Sequence, residues 1–158
     1  MPRIKFTADL TTGFTEMDEQ HREIFDLYNA VRDAKSGDDA ILTVVFLDNY
    51  VVQHCAAEEY VMKEASYPRL AEHAEWHHRF RDDVQVLAQR IKKEGARKFL
   101  ILRLQFSVET CFVQHVRTMD TDLARFVKEL RDAESSDARL KTFQGYENIR
   151  GLRSSGQT

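Results

Sequence analysis

The stretch YVVQHCAAEEYVMKEASYPRLAEHAEWHHRF, residues 50–80, places metal-capable side chains inside an otherwise apolar helical pattern. His54 and Glu58 are four residues apart, and so are His73 and His77. Residues with this spacing share one face of an α-helix. Each pair lies on the same face as the neighbouring apolar residues, so the pattern predicts two helices that direct polar side chains towards a core.

Helical periodicity continues on both sides of this stretch, with no alternation of the strand type. Glycine or proline interrupts it at Gly37, Pro68 and Gly95. The pattern predicts helices over residues 18–36, 39–64, 69–94 and 96–117, and a shorter one over 121–132. Residues suited to capping lie at or near three of the predicted starts: Asp18, Asp39 and Ser66.

Long helices joined by short connections are typical of an all-α, up-down-up-down four-helix bundle. Residues 1–17 are predicted to form a non-helical N-terminal arm, and residues 121–132 a short C-terminal helix. The domain is predicted to cover residues 1–132. Residues 133–158 are predicted to be a polar, basic tail, with a disordered, solvated end as one interpretation; residues 139–158 hold four basic residues and one acid.

The composition is that of an ordinary globular domain, with 158 residues, 42% of them apolar and 31% charged. A formal net charge of −3 gives no reason to expect a nucleic-acid partner. We expect no apolar run long enough to span a membrane and no signal peptide. Two cysteines are too few for a disulfide framework, so these features together favour a cytoplasmic protein.

Histidine is concentrated on the predicted core faces. Five of the six histidines lie there, with at least one on every long helix: His21, His54, His73, His77 and His115. His78 is about 100° from His77 around the helix and is predicted to face solvent. A single inward histidine is usually a hydrogen-bonded core residue. Five of them together with Glu58 would each cost about 1–3 kcal/mol if unpaired, so the set predicts a metal site.

Three segments resemble the hemerythrin family, in particular its single-domain bacteriohemerythrins. GFTEMDEQHREIFDLYN, residues 13–29, resembles the first hemerythrin helix. Residues 50–80 resemble the HxxxE and HxxxH core, and CFVQHVRTMD, residues 111–120, resembles the closing HxxxxD motif. The similarity covers about residues 1–130, with seven ligand positions matching in order and spacing.

The resemblance implies a non-haem di-iron centre with an oxo or hydroxo bridge. It assigns the metal ligands as follows: His73, His77 and His115 to one iron, His21 and His54 to the other, and Glu58 and Asp120 as bridges. Five residues turn about 500° in an ideal α-helix, so the last helix is predicted to end or distort between His115 and Asp120. Asp120 is also suited to capping a helix that begins at Thr121.

The implied ligand count leaves one coordination position, on the iron with two histidines. The family mechanism implies reversible dioxygen binding there, end-on and as peroxide, for transport, storage or local supply, and not an enzyme with catalytic residues. Nitric oxide and azide are expected to bind as other ligands. Helical position suggests apolar walls for this position: Val51, Met62, Phe80, Phe112 and Val113.

Three other functions stay open. An oxygen, nitric oxide or redox sensor would act through a protein partner that the sequence does not identify. A di-iron oxidase or peroxidase would more usually carry four carboxylates. A structural zinc protein would use four ligands rather than seven. We expect a monomer or a weak oligomer.

Three positions depart from the family pattern, one of them Phe6, where the N-terminal arm of the family often carries tryptophan. Cys55 and Cys111 stand where the family commonly has phenylalanine and tryptophan. A free cysteine can serve as a small hydrophobic residue, or the change can make the site looser or redox-responsive. Since Cys111 precedes His115 by four residues, its thiol is predicted to approach the metal pair.

Overall fold

A computed structural model of the chain describes residues 3–134, and every regular element within that range is helical. A short 3-10 turn, Ala8–Leu10, is followed by α1 (Thr15–Asp33), α2 (Gly37–Glu64) and α3 (Leu70–Glu94). A fourth helical run then covers residues 98–134. It consists of α4 (Lys98–Phe106), a first π-helical turn (Ser107–Phe112), α5 (Val113–His115), a second π-helical turn (Val116–Asp120) and α6 (Thr121–Glu134).

The four helical runs form a closed ring. Each packs against the next along the chain, and the fourth packs against α1. The connections cover only residues 34–36, 65–69 and 95–97. Short connections between neighbouring helices require antiparallel packing. The predicted all-α bundle is therefore confirmed, whereas the predicted tail lies outside the described residues from residue 135 onwards.

Two apolar clusters fill the bundle and leave a polar layer between them. The larger cluster contains Phe25, Leu47, Val84 and Leu104, among others. The smaller one lies where α6 packs: Met17, Ala57, Val61, Met62, Tyr67, Leu123 and Val127. Along α2, His54 and Glu58 fall between residues of the first cluster and residues of the second. The helices thus present the histidines in one layer across the bundle.

The helices begin at other residues than the predicted caps. Asp18 lies inside α1, and its carboxylate accepts hydrogen bonds from the Thr12 N–H and hydroxyl, both at 2.8 Å. Ser36, rather than Asp39, caps α2, since its hydroxyl accepts the Asp39 N–H at 3.0 Å. Ser66 lies in the turn before α3 with a φ of 51°. None of the three is itself a cap, but each lies three or four residues from the observed one, because tertiary contacts and turns shift helix starts by a few residues.

The N-terminal arm is fastened to the bundle at two points. The Asn29 side chain accepts the Ile4 N–H at 3.1 Å and donates to the Ile4 carbonyl at 2.8 Å. Arg117 donates to Asp9 at 2.8 Å, and the 3-10 turn packs on the second π-helical turn. Leu10 is buried in the larger apolar cluster. The arm therefore lies against the helix that supplies Asp120. It is non-helical as predicted from residue 3 to residue 14 except for its short turn, whereas residues 15–17, also predicted to be non-helical, begin α1.

Helix α2 is long and apolar enough to cross a membrane by length and composition alone. The expectation that no segment would reach that length was therefore wrong. The inner face of α2 packs in the bundle and carries His54 and Glu58, and apolar residues also occupy much of its outer face. Core helices of soluble proteins can have the same length and apolar composition, so this feature alone does not assign the chain to a membrane.

Candidate metal centre

Seven polar side chains from all four helical runs meet in the layer between the apolar clusters. None is more than 2% exposed: His21 from α1, His54 and Glu58 from α2, His73 and His77 from α3, and His115 and Asp120 from the fourth run. The structure thus brings together every residue that the sequence predicted as a ligand. His78 faces solvent as predicted, and its ring lies 3.6 Å from Asp82.

The two oxygens of Glu58 face opposite halves of the site. Oε1 lies 3.7 Å from Nε2 of His21 and 3.5 Å from Nε2 of His54. Oε2 lies 3.5 Å from Nε2 of His73 and 3.1 Å from Nε2 of His77. One carboxylate therefore connects two imidazoles on one side with two on the other.

Asp120 divides its oxygens in the same way. Oδ2 lies 3.1 Å from Nε2 of His21. Oδ1 lies 3.1 Å from Nε2 of His73 and 2.8 Å from Nε2 of His115. Two donor groups result, which share the carboxylates. The three-histidine group is His73, His77, His115, Glu58 and Asp120, and the two-histidine group is His21, His54, Glu58 and Asp120.

The donor atoms fit metal ions better than they fit one another. Among the described residues, ten of the twelve buried side-chain nitrogen and oxygen atoms without a hydrogen-bond partner belong to these seven residues. Nε2 of His73 and Nε2 of His115 are 2.9 Å apart. Two ligands at right angles, each about 2.1 Å from one metal, are about 3 Å apart. Imidazole and carboxylate donors suit iron, and the residues present therefore fit the metals that the ligand pattern implies.

A π-helical turn explains how Asp120 reaches the site. The sequence predicted that the helix ends or distorts after His115, and the structure shows a distortion in which the helix continues through residues 116–120. Hydrogen bonds in a π-helix join residues five apart, so His115 and Asp120 lie on nearly the same face. The predicted separate helices over 96–117 and 121–132 are therefore one continuous run, and Asp120 does not cap a new helix.

Two side chains outside the donor set orient the imidazoles. Nδ1 of His54 lies 3.0 Å from Oε1 of Gln20. Nδ1 of His77 lies 3.2 Å from Oε1 of Glu59. Such outer hydrogen bonds hold the ring so that Nε2 points at the metal. Sequence reasoning missed both residues; each directly adjoins a predicted ligand in the chain, but its partner lies on another helix.

Aromatic rings cover both halves of the site. The Phe112 ring contacts the rings of His21 and His54 edge-on, at centroid distances of 5.5 and 5.8 Å. On the other half, Trp76 stacks on His115 at 3.7 Å. Sequence reasoning named Phe112 as a wall residue and did not single out Trp76. The other predicted wall residues lie in or against the apolar clusters: Val51, Phe80, Val113 and Met62.

The two cysteines occupy different environments. Cys55 is buried, and burial together with the charge of Glu58 raises the pKa of its thiol well above the ordinary value. Cys111 is half-buried, and burial and the charge of Asp83 raise its pKa. The structure places Phe112 against the rings of the two-histidine group, whereas Cys111 packs against the larger apolar cluster with Asp83 as its charged neighbour.

Electrostatic interactions divide the imidazoles into two kinds. Burial opposes the charged form, but the carboxylates of Asp120 and Glu58, at 3.1 and 3.7 Å from Nε2, outweigh it and raise the pKa of His21 to about 9. The same balance raises the pKa of His73 to about 9. At His54 burial dominates and lowers the pKa to about 4. In the protein alone, imidazolium charges therefore face the carboxylates at neutral pH, and a metal ion must displace their protons.

This balance predicts a pH dependence. In metal-stripped protein we expect His21 and His73 to titrate near pH 9, and His54 to stay neutral down to about pH 4. Metal affinity should rise as the pH increases from 6.5 towards 9, because fewer protons remain to be displaced. Imidazole proton and carbon resonances of isotopically labelled protein test the assignment, with metal affinity measured in parallel. If all three rings titrate near the ordinary value of 6.5, the electrostatic interpretation fails.

The fold and the site together define a class: four-helix-bundle proteins with a buried, histidine-rich metal-binding donor set. The family model of the hemerythrin HHE cation binding domain matches residues 12–127. The chain therefore belongs to the hemerythrin family, and the resemblance seen in the sequence is confirmed.

Curated relatives agree with this family. A bacteriohemerythrin of Pseudomonas paraeruginosa (strain DSM 24068 / PA7) is 34% identical over 83 residues, which is 51% of this chain and 54% of the relative. A bacteriohemerythrin of Pseudomonas aeruginosa (strain LESB58) has the same identity and coverage. One of Stenotrophomonas maltophilia (strain R551-3) is 33% identical over 83 residues, again 51% of this chain and 54% of the relative. The match thus spans about half the length of these relatives.

Proposed function

We propose that this chain binds dioxygen reversibly at two iron ions held by the seven donor residues. One observation carries the proposal: both carboxylates divide their oxygens between a three-histidine group and a two-histidine group. This arrangement supports two metal ions that share Glu58 and Asp120. The family, and the relatives named bacteriohemerythrin, support the same interpretation.

The unequal number of imidazoles supports ligand binding at one metal. The group with His21 and His54 offers one imidazole fewer than the other group. A metal with an open position is reactive, whereas a metal with all positions filled by protein is structural. Iron would supply electrons to dioxygen when dioxygen binds, and it would recover them when dioxygen leaves. We therefore assign the dioxygen position to the side of His21 and His54.

The residues around that side would keep the bound ligand from water. Phe112 contacts both histidine rings, and it packs in turn against Phe25 at 5.6 Å and Phe80 at 5.4 Å. A dry, apolar surrounding limits proton access and loss of a charged ligand. These rings support reversible binding over consumption of the ligand.

The donor set favours binding over oxidation of an organic substrate. It contains five imidazoles and two carboxylates. Ferritin-like di-iron proteins instead use four carboxylates, two of them in Glu-x-x-His pairs. The one such pair in this sequence, Glu75 and His78, is exposed and lies outside the donor set. We propose that the chain is not an enzyme.

An absorption experiment tests the proposal. Purified chain is loaded with iron, analysed for metal content, reduced without oxygen and then exposed to oxygen and vacuum in turn. The proposal expects two irons per chain and a visible band that appears with oxygen and disappears under vacuum over repeated cycles. Zinc-loaded chain is the control and should give no band. Irreversible bleaching on the first cycle would support an oxidase, and an unchanged spectrum would exclude dioxygen binding.

A further inference from the structure

The outer face of α2 carries no exposed charged side chain between residues 40 and 62. The exposed residues there are Leu42, Phe46, Asn49, Val52, Gln53, Ala56 and Tyr60. Four of them are large apolar or aromatic side chains that are well exposed: Leu42 at 59%, Phe46 at 57%, Val52 at 44% and Tyr60 at 42%. At 1.5 Å per residue, this face is about 27 Å long. A solvated helix face of that length ordinarily carries charges, so this one is suited to a partner.

Six of these residues follow a coiled-coil spacing. Their separations are four, three, four, three and four residues: Leu42, Phe46, Asn49, Gln53, Ala56 and Tyr60. Alternating steps of three and four place side chains along one seam that faces a partner helix. We call these six residues the α2 seam. The opposite face of α2 is already used inside the bundle, so the seam is additional to the bundle's own packing.

The α2 seam is symmetric about position 51. Leu42 and Tyr60 are equally distant from that position, and so are the two further pairs of the seam, Phe46 with Ala56 and Asn49 with Gln53. A helix with this symmetry can pair with an antiparallel copy of itself across a two-fold axis. We propose that the α2 seam is the interface of a homodimer in which α2 of one copy packs antiparallel on α2 of a second copy.

The side chains that meet in this register suit one another. Phe46 meets the small side chain of Ala56 of the second copy, so that a large residue fills the space beside a small one. Asn49 meets Gln53 of the second copy, and two amides can exchange hydrogen bonds there. In a parallel pair each residue would meet its own copy, which would put phenylalanine against phenylalanine. The seam therefore specifies the antiparallel direction.

Charges just beyond the seam favour the same direction. Asp39 and Lys63 are also equally distant from position 51, and both are exposed. In the antiparallel dimer, Asp39 of each copy meets Lys63 of the other, which makes two opposite-charge pairs. A parallel dimer would bring Asp39 to Asp39 and Lys63 to Lys63, and like charges would repel.

A second copy fits the seam better than two other occupants do. A hydrocarbon layer would leave the Asn49 and Gln53 amides without partners at the centre of the seam. The chain's own segment 139–158 holds four basic residues and one acid, whereas the seam offers no exposed carboxylate. One helix pair buries an area at the low end of specific interfaces, so the dimer should dissociate at concentrations on the order of micromolar.

Sedimentation velocity of the full, metal-loaded chain tests the dimer over about 1 to about 500 µM, a range that brackets this affinity. The wild type should change from monomer to dimer, and Phe46→Glu should stay monomeric. Val86→Glu is the matched control, since Val86 on α3 is 54% exposed and lies outside the seam, and it should dimerise like the wild type. A wild type that stays monomeric throughout, or a Phe46→Glu variant that dimerises normally, would overturn the proposal.

A charge exchange tests the direction of pairing. Asp39→Lys and Lys63→Asp should each raise the dissociation constant about tenfold at low salt, because two attractive pairs become repulsive. An equal mixture of the two variants should dimerise as tightly as the wild type, since the introduced lysine of one variant then meets the introduced aspartate of the other. Single variants that dimerise as tightly as the wild type, with a mixture tighter than the wild type, would overturn the antiparallel arrangement in favour of a parallel one. Phe46-dependent binding of a monomer to phosphatidylcholine vesicles would overturn the dimer in favour of a membrane.

Discussion

Glu58→Gln is expected to lower the metal content of the chain from two ions to about one. Each oxygen of Glu58 faces a different pair of imidazoles. An amide nitrogen cannot replace a carboxylate oxygen as a ligand, so one half of the site loses a donor. The group with His21 and His54 has fewer donors and should be the one that empties. The affinity for the second metal should fall at least 100-fold. This equals or exceeds the loss, about 10- to 100-fold, that follows when a residue that only supports a ligand is changed.

Glu59→Gln is the matched control for this substitution. Glu59 adjoins Glu58 in α2 and contacts only the Nδ1 side of His77 within the site. Its loss should leave two metals bound and weaken their retention about tenfold. Both variants are checked for helical content and analysed for metal by elemental analysis after dialysis. Two tightly held metals in Glu58→Gln would show that Glu58 does not bridge the two groups.

Removal of the metals is expected to lower the free energy of unfolding by several kcal/mol. Seven buried atoms that face the centre of the site have no hydrogen-bond partner among the described residues: Nε2 of His21, His54 and His77 and both oxygens of Glu58 and Asp120. Each such group costs about 1–3 kcal/mol when left unpaired. Linkage alone contributes about 4 kcal/mol when free metal exceeds its dissociation constant a thousandfold. Urea unfolding of loaded and stripped chain, followed by far-UV circular dichroism, measures the difference.

The difference should widen at alkaline pH. In the protein alone, the pKa values of His21 and His73 are raised from 6.5 to about 9. The stability that this provides is fully present below pH 6.5 and is lost as the pH rises through 9. Ligands bound to a metal carry no such proton, so the loaded chain should lose less stability over that interval. Equal unfolding curves for loaded and stripped chain, or parallel pH profiles, would contradict a buried, metal-binding cluster.

The sequence alone determined the class of fold and the residues of the site. Apolar periodicity is a local property of each helix, so the four-helix pattern could be recognised without tertiary contacts. The pairs His54 with Glu58 and His73 with His77 were visible for the same reason, because four residues bring two side chains to one face. Periodicity also placed His21 and His115 on the core faces of their helices, and the family resemblance then added Asp120 and assigned the residues to two irons.

Contacts between helices could not be predicted in the same way. Gln20 on α1 contacts His54 on α2, and Glu59 on α2 contacts His77 on α3. No spacing in the sequence identifies such partners. The sequence also predicted that the Cys111 thiol approaches the metals, whereas the structure places the neighbouring Phe112 ring against His21 and His54. Which of two adjacent residues contacts the site depends on how the helices pack.

The tertiary structure also decided which apolar face of α2 stays exposed. The steps of three and four residues in the α2 seam are present in the sequence, but α2 is apolar on more than one side. The sequence predicted that the face with His54 and Glu58 lies inside, and packing of α2 against α1 and α3 shows that the face with the seam lies outside. Likewise, a carboxylate in the sequence has two equivalent oxygens. The helices packed around Glu58 turn Oε1 towards His21 and His54 and Oε2 towards His73 and His77. The direction of a side chain depends on every element that surrounds it.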